Sequence, residues 1–314
     1  MINFRYHVVS LAAVFLALAI GLVVGTAAAN GPLTDNLGDQ VTKLTDDKQQ
    51  LRDDLDQSRA ELKKNADFAT EVAPALLGNK LAGKNVLLIK IEGSDNEVGT
   101  ATDGIAVMLG TAGAKVVGTL TVKEKFTAAS SSATLLDLAE TAAPAAVSGA
   151  LPNRPDGVET SSALLAAVLT GKAGQPQVEG TRTVLSAYEA SGFIGVDGDF
   201  KTPAEAVVIV SGAPASGKDA GPRNAAALTL TQRFDLGAKT VVAGLTTNGL
   251  VASVRGNSAV AKNVSTVDNA VTAYGQVAAV MALVERLGGK TGHYGIGDGA
   301  TSLLPKTASV TSGS

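Results

Sequence analysis

A glycine-rich stretch is the most suggestive chemical motif of the sequence. Residues 212–218, GAPASGK, match the G-x-x-x-x-G-K pattern in which backbone N–H groups and a lysine hold nucleotide phosphates. Such a loop continues with Ser or Thr, which ligates magnesium, whereas this chain continues with Asp219, whose carboxylate would repel phosphates. The sequence therefore predicts an ordinary glycine-rich turn between a strand and a helix, and no bound cofactor.

Residues that ligate soft metals are few. The chain has no cysteine, and its histidines and methionines are His7, His293, Met1, Met108 and Met281. A tight copper(I) site needs several thiolates, thioethers or imidazoles close together, which this spacing does not provide. The candidates for a metal site are His293 and Asp298, in the segment HYGIGDGA. The alternative is a histidine with a purely structural role.

Catalytic residues are not evident either. A serine nucleophile needs a histidine base, and the sequence has no G-x-S-x-G turn beside which His293 could act. We therefore predict no catalytic residues and no enzymatic activity. The best acidic cluster is the turn containing Glu92, Asp95 and Glu97. It follows a strand, at the end where open α/β sheets bind ligands, although a solvated loop would have the same composition.

The elements that would position these residues alternate along the chain. Short apolar runs predict buried strands at residues 85–90, 115–122, 206–210 and 240–245. Helical stretches are predicted at residues 98–109, 224–236 and 275–287, and residues 128–200 are Ala/Ser-rich and mostly helical. This alternation predicts an α/β fold with a mostly parallel, doubly wound sheet. Residues 74–83 resemble a linker that ends the preceding helix.

The N-terminal region predicts a membrane helix. Residues 8–29 carry no formal charge, and roughly 20 apolar residues in a helix cross the ~30 Å hydrocarbon core. Arg5 precedes the run and Asp35 and Asp39 follow it, so the positive-inside rule places the N-terminus in the cytoplasm and the rest outside. We expect a single-pass anchor. The alternative is a signal peptide cleaved at the A-x-A site of residues 27–29.

A heptad pattern follows the membrane segment. Apolar residues are spaced by four and three, with Lys48 and Ser58 at the two stations that are not apolar. The predicted seam consists of Leu37, Val41, Leu44, Lys48, Leu51, Leu55 and Leu62. Such a seam favours a parallel coiled-coil homodimer, in which a lysine at an a position selects the register. The alternative is one amphipathic helix that folds back on its own domain.

Composition sets the remaining limits. The net charge is −3, so the chain has no basic surface of the kind that nucleic acids require. Apolar residues make up 45% of the sequence, enough for a sizeable core. The predicted organisation is a membrane anchor at residues 1–30, a coiled coil at 31–73, an extracytoplasmic α/β domain at 74–304 and a flexible tail at 305–314.

Two blocks of sequence carry a family resemblance. Residues 1–26, MINFRYHVVSLAAVFLALAIGLVVGT, and residues 265–305, STVDNAVTAYGQVAAVMALVERLGGKTGHYGIGDGATSLLP, resemble the actinobacterial copper transporter family, of which mycobacterial copper transport protein B is typical. The resemblance implies a cell-envelope protein that contributes to copper efflux or low intracellular copper, with copper as the transported ion. It also implies a channel in the mycobacterial outer membrane.

Close relatives within this resemblance imply an alternative role. In that role the chain is a membrane-anchored coiled-coil dimer that scaffolds or regulates an envelope partner in cell-wall hydrolysis and cell separation, without transport activity. The residues themselves lack the alternating ~10-residue strands and aromatic girdles of an outer-membrane barrel. For the copper transport that the resemblance implies, we therefore expect an assembled complex rather than a pore in each chain.

Overall fold

The computed structural model describes residues 4–29, 32–93, 97–172 and 174–306, and side chains only outside residues 28–38. The chain divides into two compact units, Met1–Lys64 and Asn65–Ser314.

The helices are α1 Phe4–Ala29, α2 Pro32–Leu77, α3 Glu97–Thr111, α4 Glu124–Thr127, α5 Ser132–Ala142, α6 Ala145–Ser148, α7 Gly157–Leu169, α8 Thr181–Ala190, α9 Ala220–Gly237, α10 Leu250–Gly256, α11 Ser258–Ala261 and α12 Ala273–Leu287. The strands are β1 Asn85–Ile91, β2 Lys115–Val122, β3 Ile194–Asp197, β4 Ala206–Ser211, β5 Lys239–Gly244, β6 Ser265–Val267 and β7 His293–Tyr294.

The first unit is helical throughout its described part. Helix α1 is apolar along nearly its whole length, whereas α2 is rich in charged and amide side chains. Pairs four residues apart support α2 on its outer surface, since the Gln49 amide donates to the Asp53 carboxylate at 2.9 Å. The Gln57 amide donates to Glu61 in the same way at 3.3 Å.

Helix α2 continues past the point where the sequence predicted a linker. That prediction was wrong for residues 74–77, because Pro74 lies inside the helix, which ends at Leu77. Proline removes one backbone donor and normally ends or kinks a helix. Here Ala73 and Leu77 are buried against the core of the second unit, and this packing offsets the missing hydrogen bond. Gly78 N–H then donates to the Pro74 carbonyl and closes the last turn.

The second unit is built on one seven-stranded sheet with the order β3-β2-β1-β4-β5-β6-β7. All neighbouring strands are parallel except β2 and β3, which are antiparallel. The prediction of an α/β fold with a mostly parallel sheet is confirmed. The predicted strands β1, β2, β4 and β5 lie at their expected positions to within one residue.

Helices cover both faces of the sheet because the central strands are apolar on both faces. Leu87 and Ile89 of β1 pack in one core with side chains of α5, α7, α8, α9 and α10. Val86 and Leu88 of the same strand pack in a second core with side chains of α3, α12 and the end of α2. Adjacent residues of a strand point to opposite faces, so each central strand contributes to both cores.

Three short strands were not predicted. Helices α4 to α8 form the long connection between β2 and β3, in agreement with the helical character expected for residues 128–200. The chain then returns as β3 beside β2, with Leu120 opposite Val196. Strands β6 and β7 extend the other edge, and β7 is only two residues long. Most of the predicted tail, residues 307–314, lies outside the described residues.

Candidate functional site

The N-terminal helix presents apolar side chains in every direction. One segment of α1, Phe4–Ala27, is long and apolar enough to cross a membrane, and none of it is buried within the chain. Leu11, Phe15 and Leu22 are each more than 60% exposed. Side chains of this kind require an apolar environment, which a lipid bilayer provides.

A second apolar surface lies on α2. We define the α2 stripe as Val41, Leu44, Leu51, Leu55 and Leu62, whose side chains are between 50% and 69% exposed. Lys48, at the station between Leu44 and Leu51, is also exposed. The side chain of Leu37 lies outside the described residues. The stripe follows the predicted heptad positions along one face of the helix within the first unit.

The sheet has a crevice at the carboxyl ends of β1 and β4. The strand order reverses between these two strands, so their loops diverge and leave an opening of about 120 Å³. The lining includes Glu92, Glu124, Ser211, Pro214, Arg223 and Leu250. The glycine-rich loop forms one wall because it connects β4 to α9, as the sequence predicted. The Lys218 side chain is exposed, and residues 94–96 of the acidic turn lie outside the described residues.

The C-terminal segment is held by a buried ion pair that the sequence analysis missed. Arg255 Nη1 lies 2.9 Å from Asp268 Oδ2, and their side chains are 6% and 0% exposed. Arg255 also donates to the Thr266 hydroxyl through Nε and to the Tyr294 carbonyl through Nη2. Asp268 accepts from the backbone N–H of residues 296 and 297, and thereby fixes the loop that follows β7.

Glycine is required where this loop meets the aspartate. A Cβ atom on Gly295 would collide with the Asp268 carboxylate, and Gly295 has a φ of +124°. Asn269 adopts a positive φ of 58°, which asparagine tolerates, and its side-chain amide donates to Asp268 at 2.6 Å. The buried carboxylate therefore accepts hydrogen bonds on both oxygens, as a buried charge requires.

The two residues predicted as metal candidates lie beside this ion pair. His293 Nδ1 is 2.9 Å from the Thr266 hydroxyl, and burial, followed by the positive charge of Arg255, lowers the pKa of His293. The Asp298 side chain is exposed, and only its main-chain carbonyl takes part, accepting from Arg255 at 3.0 Å. Within the described ranges, no three His, Cys, Asp or Glu side chains are grouped as metal ligands would be.

The two thioethers within the described residues are buried. Met108 on α3 and Met281 on α12 both belong to the core on the α3/α12 face of the sheet, and both are about 95% buried. These two methionines therefore act as packing residues, a role that suits their flexible side chains.

Comparison with known proteins gives a consistent assignment over nearly the whole chain. The sequence profile of the family described as "Copper transport outer membrane protein, MctB" matches residues 1–305. The copper transporter MctB of Mycobacterium tuberculosis H37Rv is 30% identical, over 96% of this chain and 99% of the relative. The copper transporter MctB of Mycobacterium leprae is 28% identical over the same shares of the two chains.

Removing the buried carboxylate should destabilise the second unit severely. We expect Asp268→Ala to lower the free energy of unfolding by about 3–5 kcal/mol, because it leaves the Arg255 guanidinium buried without a counter-charge. Denaturant unfolding followed by circular dichroism measures this change. Asp298→Ala is the matched control and should stay within about 0.5 kcal/mol, since only its backbone is used. Equal effects of the two substitutions would contradict the assignment of the ion pair.

His293 should make stability depend on pH near neutrality. Its pKa is lower in the folded chain than the usual value of about 6.5, so only the unfolded chain gains this proton as the pH falls through that value. We therefore expect the free energy of unfolding to decrease from pH 7.5 to pH 5.5. Thermal unfolding of His293→Asn should show a flatter dependence in this interval than the wild type. An unchanged profile in His293→Asn would refute the prediction.

Proposed function

The chain belongs to the MctB copper transport family, and we propose on this basis that it is a cell-envelope protein that contributes to copper efflux or to low intracellular copper. The observation that carries the proposal is the family match over residues 1–305, which includes the apolar helix α1, the α2 stripe and the sheet domain. Similarity of this extent to the copper transporters of two mycobacterial species supports a shared role for the complete architecture.

Helix α1 anchors the chain in this proposal. Its length and its uniformly apolar surface fit a single membrane crossing. Arg5 precedes the apolar segment and Asp39 follows it, so the charge distribution supports a cytoplasmic N-terminus and an extracytoplasmic sheet domain. A helix with a cytoplasmic N-terminus crosses the inner membrane, so the outer membrane named in the family description is the alternative location, in which the N-terminus faces the periplasm. Cleavage after residues 27–29 is the competing arrangement and would release the same domain to the exterior.

The α2 stripe pairs two copies of the chain. Burying one exposed leucine is worth about 1.5–3 kcal/mol, so five apolar stations provide a substantial driving force for association. Two chains anchored in one membrane have parallel α2 helices, and a parallel coiled coil brings the same stations face to face. Lys48 then specifies the register, because any other alignment would place its ammonium group against leucine.

Copper is the cargo in this proposal and not a resident cofactor. The described residues offer no cluster of soft ligands, and Met108 and Met281 are enclosed in the core. His293 and Asp298 supply at most one imidazole and one carboxylate to a metal. An assembly of paired chains, with or without further envelope proteins, is therefore the proposed transport unit, rather than a pore within each chain.

The long exposed stripe also favours a second function. A paired α2 segment is a stalk that positions the sheet domain and can dock an envelope partner, as in scaffolding of cell-wall hydrolysis during cell separation. The stripe and the surrounding charged positions support this function as well as they support transport. The transport function predicts that intracellular copper changes when the chain is lost, whereas the scaffolding function predicts no such change.

Pairing should depend on the leucines of the α2 stripe. We expect Leu44→Asp with Leu51→Asp to convert a dimer into a monomer, because two carboxylates per chain would be buried at the seam. Sedimentation of the full chain in detergent measures the oligomeric state. The matched control, Lys43→Asp with Gln50→Asp, places the same side chains one residue earlier, at exposed c positions, and should remain dimeric. Dissociation of both variants, or of neither, would contradict the register.

Loss of the chain should raise cellular copper. In a deletion strain grown with added copper, we expect the intracellular copper content to increase at least twofold, and the wild-type gene to restore it. Mass spectrometry of washed cells measures the metal. The monomeric double variant should fail to restore copper levels if paired chains form the transport unit. Unchanged copper combined with defective cell separation would refute transport and favour the scaffold.

A further inference from the structure

The crevice between β1 and β4 contains a buried polar group without a partner. Ser211, the last residue of β4, is 6% exposed, and its Oγ forms no hydrogen bond within the part of the chain that the structure describes. A hydroxyl in this state has lost its contact with water without gaining a replacement. Ser211 lines the crevice, so a molecule that binds there and displaces the side chains around Oγ supplies that replacement.

Arg223 provides a second unused donor in the same crevice. Its side chain is 21% exposed, and Nη2 lies 3.1 Å from Glu124 Oε1. Its Nε is buried and has no hydrogen-bond partner among the described residues. A guanidinium group has donors only, so Nε requires an acceptor. Carboxylates fit such donors well because their two oxygens match the planar guanidinium.

The charges around the crevice restrict the ligand further. Glu92 and Glu124 contribute two carboxylates against the one guanidinium of Arg223, and Asp219 immediately precedes α9. A phosphate, with close to two negative charges, would be repelled by this set. A molecule that carries both a carboxylate and an ammonium group matches this set of charges. Its carboxylate pairs with Arg223, and its ammonium group balances the excess of acidic side chains.

The size of the opening agrees with a small molecule of this class. Its volume of about 120 Å³ corresponds to roughly ten water positions at ~10–15 Å³ each. Glycine, alanine and serine have fewer non-hydrogen atoms than this, so each fits within the opening. Ile91, Pro214 and Leu250 add apolar surface to the lining, so a short aliphatic side chain has a place to pack.

We propose that this crevice binds a small zwitterion of amino-acid size. The ligand carboxylate accepts hydrogen bonds from Ser211 Oγ and Arg223 Nε, and the ligand ammonium group faces Glu92. The positive end of α9, an 18-residue helix, adds to the attraction for the carboxylate. The site belongs to the second unit, and its proposed ligand does not depend on copper transport.

Titration of the full-length chain in detergent tests the proposal. The probes are glycine, alanine and serine, with propionate and ethylamine as analogues that each lack one charged group, and inorganic phosphate as the competing anion. We expect calorimetry to detect at least one amino acid, with propionate and ethylamine about tenfold weaker or absent. No heat from any of the three amino acids up to millimolar concentrations, or binding of phosphate instead, would overturn the proposal.

Single substitutions locate the binding. Ser211→Ala removes one oxygen atom and should weaken amino-acid binding about tenfold, and Arg223→Gln should abolish it. Ser186→Ala and Arg182→Gln are matched controls, since they line a separate cavity beside β3 and should bind as the wild type does. Circular dichroism verifies that each variant is folded. If Arg223→Gln unfolds the chain, the binding measured for Ser211→Ala tests the proposal alone. Undiminished binding by Ser211→Ala would refute the assignment.

Discussion

Complete burial of strand β4 is the constraint on which the second unit depends. All six of its residues are buried, and its side chains alternate between two apolar cores. A sheet that is apolar on both faces must be covered by helices on both faces, so the chain crosses over the sheet between parallel strands. The order β3-β2-β1-β4-β5 follows from these crossovers, and with it the divergence of loops that opens the crevice between β1 and β4.

The predictable part of this fold is the part that hydrophobicity determines. Strands β1, β2, β4 and β5 are short segments rich in buried apolar residues, and α3, α9 and α12 lie between or after them, so sequence alone located them. Strands β6 and β7 escaped prediction because they are three and two residues long and polar in part. Ser265 and Thr266 of β6 are fully buried, yet hydrogen bonds from Gly292 and Arg255 satisfy them. Contacts between residues so far apart in sequence leave no local pattern.

The candidate sites divide in the same way. The apolar helix α1 and the α2 stripe were predictable because each is a repeat along one element, and the structure leaves both exposed. The glycine-rich loop and Glu92 were located at the carboxyl edge of the sheet by their position after predicted strands. Ser211 and Arg223 carried no signal, since an unpartnered hydroxyl becomes visible only when its surroundings are known. The family resemblance, in contrast, is carried by residues 1–26 and 265–305, which are continuous runs of sequence and depend on no tertiary contact.

The positions of the sulfur-containing side chains determine how susceptible the chain is to oxidation by copper. Copper that cycles between its two oxidation states generates peroxide and radicals, which convert accessible thiols and thioethers into oxidised forms. This chain has no thiol, and beyond Met1 its two thioethers are sealed between α3, α12 and the sheet. The second unit therefore exposes almost no oxidisable sulfur, and oxidation of sulfur by copper is not a route by which its packing would be disrupted.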